Sequence, residues 1–142
     1  VVSGIPEPPE GTLEDYLVKD ARTNTSRICA KNTPGAKAAR LHYKVEKIYR
    51  DTSPVTSLVD IHLDTGRHHQ IRVQMAHLGC PLAGDRKYGA VHPDPGHTAS
   101  DENISQTHGG NTGSLRLCAY RLEFKHPGSG EKKTFLLSEN SW

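Results

Sequence analysis

The densest run of groups able to do chemistry lies between Leu63 and Gly89, LDTGRHHQIRVQMAHLGCPLAGDRKYG. Arg67, His68, His69, Gln70 and Arg72 put two guanidiniums, two imidazoles and a carboxamide close together, directly after a Thr65-Gly66 turn. If a helix begins there, its first turn adds unpaired backbone N–H groups and the positive end of its dipole. Such a set suits an anion, either a phosphate or a carboxylate. The plainer alternative makes Arg67 and Arg72 ordinary surface side chains. Cations in a first turn oppose the helix dipole, so a purely stabilising role explains them less well.

The periodicities around this run predict what holds it. Ala39 to Arg50 alternates, with Leu41, Tyr43, Val45 and Tyr49 on one face and His42, Lys44 and Glu46 on the other. Val59, Ile61 and Leu63 alternate with Asp60, His62 and Asp64 in the same way. Both are half-buried strands by period, and together they predict an antiparallel pair. From His69 the period becomes helical: Ile71, Met75 and Leu78 share a face, Gly79 suits the position after the helix, and Pro81 blocks continuation. Upstream, the prolines of Ile5 to Gly11 predict a loop, Thr12 to Leu17 a short helical turn with Thr12 as cap and Asp15 at the capping-box position, and Arg27 to Ala30 a short strand. Downstream, Leu115 to Lys125 and Thr134 to Leu137 predict a hairpin closed by His126 to Glu131. Residues 91–114 are rich in Gly, Ser, Thr, Asn, Asp, Pro and His, which predicts one flexible insertion. The expected fold class is α+β: a mainly antiparallel or mixed β-sheet with one short helix after the TGRHHQIR turn.

Composition narrows the classes. The 142 residues make one domain by size, with a modest core implied by a hydrophobic fraction of 34%. A net charge of +2 does not by itself announce a nucleic-acid binder. Lys37, Arg40, Lys44, Lys47 and Arg50 are clustered, however, and form either a solvated strand face or an RNA-facing stripe. Cys29, Cys80 and Cys118 are odd in number and unpaired by spacing, as expected of free thiols in a reducing compartment. No stretch approaches the roughly 20 apolar residues of a membrane span. Val1-Val2-Ser3-Gly4 has neither the charged nor the apolar region of a signal peptide, and there is no initiator Met, so the sequence is expected to start within a longer protein. Nine histidines invite a metal, but His62, His68, His69 and His77 lack helical pair spacing and no cysteine joins them, so no metal is expected.

The stretch from Leu63 to Gly89 closely resembles the third conserved motif of RluA-type RNA pseudouridine synthases, approximately L-x-T-G-R-x-H-Q-I-R-V-H-x-A-H-x-G-x-P-I-x-G-D-x-x-Y-G. Leu63, Thr65, Gly66, Arg67, His69, Gln70, Ile71, Arg72, Val73, Ala76, His77, Gly79, Pro81, Gly84, Asp85, Tyr88 and Gly89 fall in register. Gln74 stands for the usual His and Leu82 for the usual Ile. Arg116 to Pro127 resembles the family's last strand, with Cys118 where His is common, and Gly130-Glu131 resembles its G-E turn. Val1 to Gly4 resembles the end of a K-x-Y-x-A-x-V-x-G segment. Residues 91–114 and the tail from Ser138 to Trp142 do not align.

The resemblance implies the C-terminal portion of a catalytic domain, spanning residues 1–142, that isomerises uridine to pseudouridine in RNA without a cofactor or metal. It implies Arg72 as ion-pair partner of a nucleophilic Asp outside this chain. Arg67, His69, Gln70, Lys87 and Tyr88 become RNA-binding candidates, with a structural role for His69 and Gln70 equally open, and Asp85 a turn cap. The family's H-R-L-D-x-x-T-S-G-like segment, which carries the nucleophile, does not occur in these residues. The chain alone is therefore expected to be inactive; a non-catalytic RNA-binding module is the alternative. Expected partners are ribosomal or transfer RNA, the missing N-terminal half of the domain, and a second copy through an exposed sheet edge. Expected surroundings are intracellular: the cytoplasm, or a nucleus or organelle in a eukaryote.

Overall fold

A computed structural model describes residues 1–89 and 114–138. The expected insertion at 91–114 lies outside the described residues except for Ser114, and the unaligned tail except for Ser138. Strands β1 (Val2–Ser3), β2 (Glu10–Asp20), β3 (Thr25–Cys29), β4 (Lys37–Tyr49) and β5 (Thr56–Leu63) precede helix α1 (Gln70–His77). Strands β6 (Arg121–Lys125) and β7 (Lys132–Leu136) follow it. The first five form one antiparallel sheet in the order β1-β5-β4-β2-β3, and β6-β7 form a separate hairpin. The class is α+β, as the sequence predicts.

The helical turn expected at Thr12 to Leu17 is instead the middle of β2. Leu13 and Leu17 are four residues apart, a spacing that fits one face of a helix and one face of a strand equally. Tertiary pairing decides between them: β2 pairs β4 from Glu10 to Leu17 and β3 from Tyr16 to Asp20. Thr12 and Asp15 therefore do not cap. The Thr12 hydroxyl meets His42 Nδ1 at 2.7 Å, and Asp15 accepts from Gln74 Nε2 at 2.8 Å. The proline loop is also shorter than expected, since β2 begins at Glu10.

The paired strands β4 and β5 match the alternation, with one correction. A bulge between Val45 and Lys47 shifts the register, so that Ile48 pairs with the buried Ser57. Beyond the bulge the faces exchange, and Tyr49 stands opposite Thr56 beside Lys47, whose ammonium sits 5.0 Å from its ring. Tyr49 thus leaves the face of Leu41 and Tyr43. The C-terminal hairpin is also shorter on its first strand than expected: 114–120 is irregular, and only Arg121–Lys125 is strand.

Helix α1 ends as its sequence dictates, with Leu78 as C-cap and Gly79 at φ 87°, a conformation that costs glycine little. It covers one face of the sheet. Met75 is fully buried with Val2, Cys80 and Leu82, and Leu13, Val59, Ile61, Ile71 and Leu78 pack around them. Val73 joins Leu17 and Ala39 in a second cluster flanked by Ile28 and Tyr88. These two small clusters seat the helix and hence everything its first turn presents. Among the described residues no helix is long and apolar enough to cross a membrane.

Candidate active-site cluster around Arg72

The turn before α1 is held by Gln70. Its Oε1 accepts from the Thr65 hydroxyl at 2.8 Å and from the Arg67 backbone N–H at 2.9 Å, while Nε2 donates to the Arg40 carbonyl at 3.1 Å. Gln70 is buried and its carboxamide is committed at both ends. Arg67 is exposed, and its Nε donates to the Ala38 carbonyl at 2.8 Å, which leaves its Nη groups for an external acceptor.

Within the first turn of the helix, Arg72 enters a tight arrangement. Its Nε and Nη2 donate to the two oxygens of Asp85 at 2.8 and 2.7 Å, a bidentate pair. Nη1 lies 3.2 Å from His69 Nε2, and the guanidinium carbon sits 4.9 Å from the Tyr88 ring centre. The Asp85 side chain is fully buried. Burial works to raise its pKa, but the Arg72 hydrogen bonds and then the Tyr88 and Lys87 backbone N–H groups outweigh it, so the carboxyl is held below its ordinary value. The Arg72 pKa is raised, chiefly by the same hydrogen bonds. Asp85 does cap its turn, as expected; its bond to Arg72, thirteen residues earlier, has no periodic signature and escapes sequence reasoning.

His69 Nδ1 and Tyr88 Oη are 2.9 Å apart, and the Ser26 backbone N–H donates to the same hydroxyl at 2.8 Å. Ser26 Oγ also meets His68 Nδ1 at 2.8 Å. Burial, then neighbouring cations, lowers the pKa of both histidines: Lys19, Lys87 and Arg72 act on His68, and Arg72, His68 and Lys87 on His69. Lys87 Nζ donates to the Asn24 carbonyl at 3.0 Å. The β2–β3 turn is thus a wall of the cluster, and nothing in its sequence marks it as such. Gly89 closes the far side: a Cβ there would stand 2.0 Å from the Asp85 carbonyl oxygen, so only glycine fits. An open cleft of about 490 Å³, lined by Arg72, Gly84, Asp85, Arg86, Lys87, Ser114 and Leu115, adjoins the guanidinium.

The structure therefore gathers Arg72, His69, Tyr88 and Lys87 with Asp85, and places Gln70 and Arg67 in the turn below. The clustered cations of β4 lie elsewhere. On the sheet face away from α1, Arg40 meets Glu14 and Asp64, Lys44 meets Glu46, and Lys47 meets the Tyr49 ring. Arg40 and Lys44 are thus paired with carboxylates, which favours a solvated strand face for that part of the stripe. His42 and His62 share that face with Asp64, but no group of three or more His, Cys, Asp or Glu among the described residues is arranged to hold a metal ion.

A family model described as RNA pseudouridylate synthase matches residues 1–77. A similar curated protein is ribosomal large subunit pseudouridine synthase D of Neisseria meningitidis serogroup A, 36% identical over 95% of this chain and 33% of that protein. Its namesake in Nitrosomonas europaea is 40% identical over 85% of this chain and 33% of that protein. The chain spans about a third of the length of these relatives. Among solved structures, human RNA pseudouridylate synthase domain containing 4 has a similar fold, with a TM-score of 0.63 at 19% identity over 96% of this chain and 54% of that one. Human RNA pseudouridylate synthase domain containing 1 gives 0.51 at 27% identity, over 63% and 38%.

Proposed function

Since this chain belongs to the RNA pseudouridine synthase family, of the RluA type, we propose that it carries the arginine half of a catalytic centre that isomerises uridine to pseudouridine in RNA. The supporting observation is the state of Arg72. A guanidinium has five N–H donors, and three are engaged by Asp85 and His69. Two remain on a group that lines an open cleft. A carboxylate arriving there would be ion-paired and oriented by a cation that is itself already held.

In this reaction the C1′–N1 bond of uridine breaks, the uracil turns, and a C1′–C5 bond forms. C5 loses its proton and N1 gains one, so no oxidant or reductant is needed. The target base must first leave its stack, at a cost of a few kcal/mol. The carboxylate nucleophile would come from an H-R-L-D-type segment, which these 142 residues do not contain. Two features offer that part of the protein a docking surface. Strand β1 covers only Thr56 and Ser57 of the outer edge of β5, and the hairpin exposes Leu122, Phe124, Phe135, Leu136 and Leu137. An isolated two-stranded hairpin is marginal in water, so such a surface needs a cover. Self-association through the same edge is the second possible cover.

Arg67 and Lys87, exposed at the rim, are the proposed RNA-backbone contacts; Gln70, His69 and Tyr88 hold the turn and the guanidinium from behind. The relatives' names favour ribosomal over transfer RNA as substrate, and an intracellular location goes with either. The non-catalytic alternative draws on the fact that Asp85 already neutralises Arg72. Single-turnover tritium release from RNA labelled at uridine C5, in the full-length protein, separates the two. Arg72→Ala abolishes release while RNA affinity changes little, whereas Arg67→Ala weakens affinity and reduces its salt slope by about one contact. An Arg72→Ala protein with a near-normal rate refutes the catalytic assignment.

A further inference from the structure

His69 is held in an unusual backbone conformation for what its side chain does. Its φ of 54° and ψ of 23° lie in the left-handed region, which disfavours residues with a Cβ. It occupies the N-cap of α1 yet makes no capping hydrogen bond. A Ser, Thr, Asn or Asp would serve a helix better there. The imidazole instead bridges two groups, with Nδ1 at 2.9 Å from Tyr88 Oη and Nε2 at 3.2 Å from Arg72 Nη1. Strain that forgoes a local benefit for a distant contact is a mark of a functional position.

The polarity of this chain is determined at its far end. A guanidinium only donates, so Nε2 must offer its lone pair and the ring proton must sit on Nδ1. Nδ1–H then donates to the Tyr88 hydroxyl, which also accepts from the Ser26 backbone N–H. The surroundings oppose a second proton: burial disfavours it most, Arg72, His68 and Lys87 repel it, and only Asp85 favours it. Tyr88 meets the ring edge-on at 5.6 Å, and the tilted His68 ring lies 3.8 Å from it between ring centres. Lys19, on β2, and Lys87 help keep the neighbouring His68 ring neutral as well. An imidazolium would aim an N–H at the N–H of Arg72.

Building on the catalytic assignment of Arg72, we infer that His69 is a positioning residue. Its neutral Nδ1–H tautomer, set by the donor-only guanidinium and accommodated by Tyr88, receives Arg72 Nη1–H and orients the guanidinium towards the cleft, and protonation of the ring releases it. The acid side of the reaction's pH profile then belongs in part to a histidine that never touches RNA.

Two measurements on the full-length protein test this. Long-range proton–nitrogen correlation spectra should show His69 as neutral with Nδ1 protonated at pH 7; the Nε2–H tautomer or an imidazolium overturns the inference whatever the activity. Single-turnover rates across pH are then compared for wild type, His69→Asn and His69→Gln. Asn tolerates the left-handed backbone but stops short of Arg72, so the rate falls on the order of 10²-fold, as a misplaced group does, with RNA affinity unchanged. Gln can extend a carbonyl towards Nη1 and cannot be protonated, so it recovers most of that loss and flattens the acid limb. A His69→Asn protein with the wild-type rate and acid limb overturns the inference. Arg72→Ala, run alongside, separates failures: if it too is active, the catalytic assignment of Arg72 has failed, and the spectra still decide the tautomer.

Discussion

Two arginine–carboxylate contacts stand on opposite faces of the same sheet, and their environments make them different interactions. Arg72 and Asp85 meet on the covered side with side chains 17% and 0% exposed. Arg40 meets Glu14 and Asp64 on the open side, each at 3.2 Å, with side chains 51%, 66% and 34% exposed. On the open face, water replaces any partner that is lost. At the inner pair the carboxylate is fully buried, and the Arg72, Lys87 and Tyr88 N–H donors around it depend on that one group. The inner pair can therefore orient a reactive group, and the outer one chiefly keeps a strand face soluble.

The largest effect expected from this contrast is that of Asp85→Ala. It strands a poorly solvated guanidinium and removes the acceptor of the Lys87 and Tyr88 backbone N–H groups. A cost of about 3–5 kcal/mol follows, read as a shift in the urea midpoint. A destabilisation no greater than that of Arg40→Ala would erase the distinction between the faces.

Gly89→Ala attacks the same pair without touching a charge. Its methyl would overlap the Asp85 carbonyl oxygen, so the turn must shift and carry the carboxylate off Arg72. About 1–3 kcal/mol of destabilisation is expected, as for other overpacked sites. Full stability in Gly89→Ala would mean that the turn relaxes freely and the inner pair is less rigidly held than its geometry indicates.

Acid distinguishes the faces next. His68 and His69 have folded-state pKa values below their ordinary 6.5, so the folded chain binds fewer protons there than the unfolded one. Their contribution is complete above pH 6.5 and is lost as pH falls from there towards the depressed values. Asp85, held below its ordinary 3.8, keeps its contribution until pH falls below that value. Thermal unfolding from pH 7.5 to 3 should therefore show a first decline beginning near 6.5, diminished in His69→Gln, and a second below about 3.8. A melting temperature flat between pH 7.5 and 5 would remove the histidines from the inner network.

Arg40→Ala anchors the small end of the series. Its ion pairs are exposed and solvent-screened, so a change of about 0–1 kcal/mol is expected in the same denaturation assay. A loss comparable to that of Asp85→Ala would show the open face to be cooperative after all.

Much of this arrangement is legible in the order of residues, because the underlying physics is local. The helix from Gln70 to His77 follows from an apolar period, a Gly at the left-handed exit and a Pro beyond it. The β4–β5 pair follows from alternation, and the density of donors after Gly66 marks the site before any coordinates. Other features depend on which surfaces meet. Leu13 and Leu17 fit a helix or a strand, and only the ladders to β3 and β4 select the strand. The bulge at Val45 moves Tyr49 to the other face, and no period records it. Gln70 is open in the sequence to an RNA-binding or a structural role, and only the Arg40 carbonyl and the Thr65 hydroxyl around it reveal that its carboxamide is committed within the fold. Arg72 is conspicuous in the sequence, but its hold on Asp85, His69 and Tyr88 is not. Periodicity reports which way a side chain faces along its own element; hydrogen-bond partners from a distant turn are decided only when the packed core brings the two together.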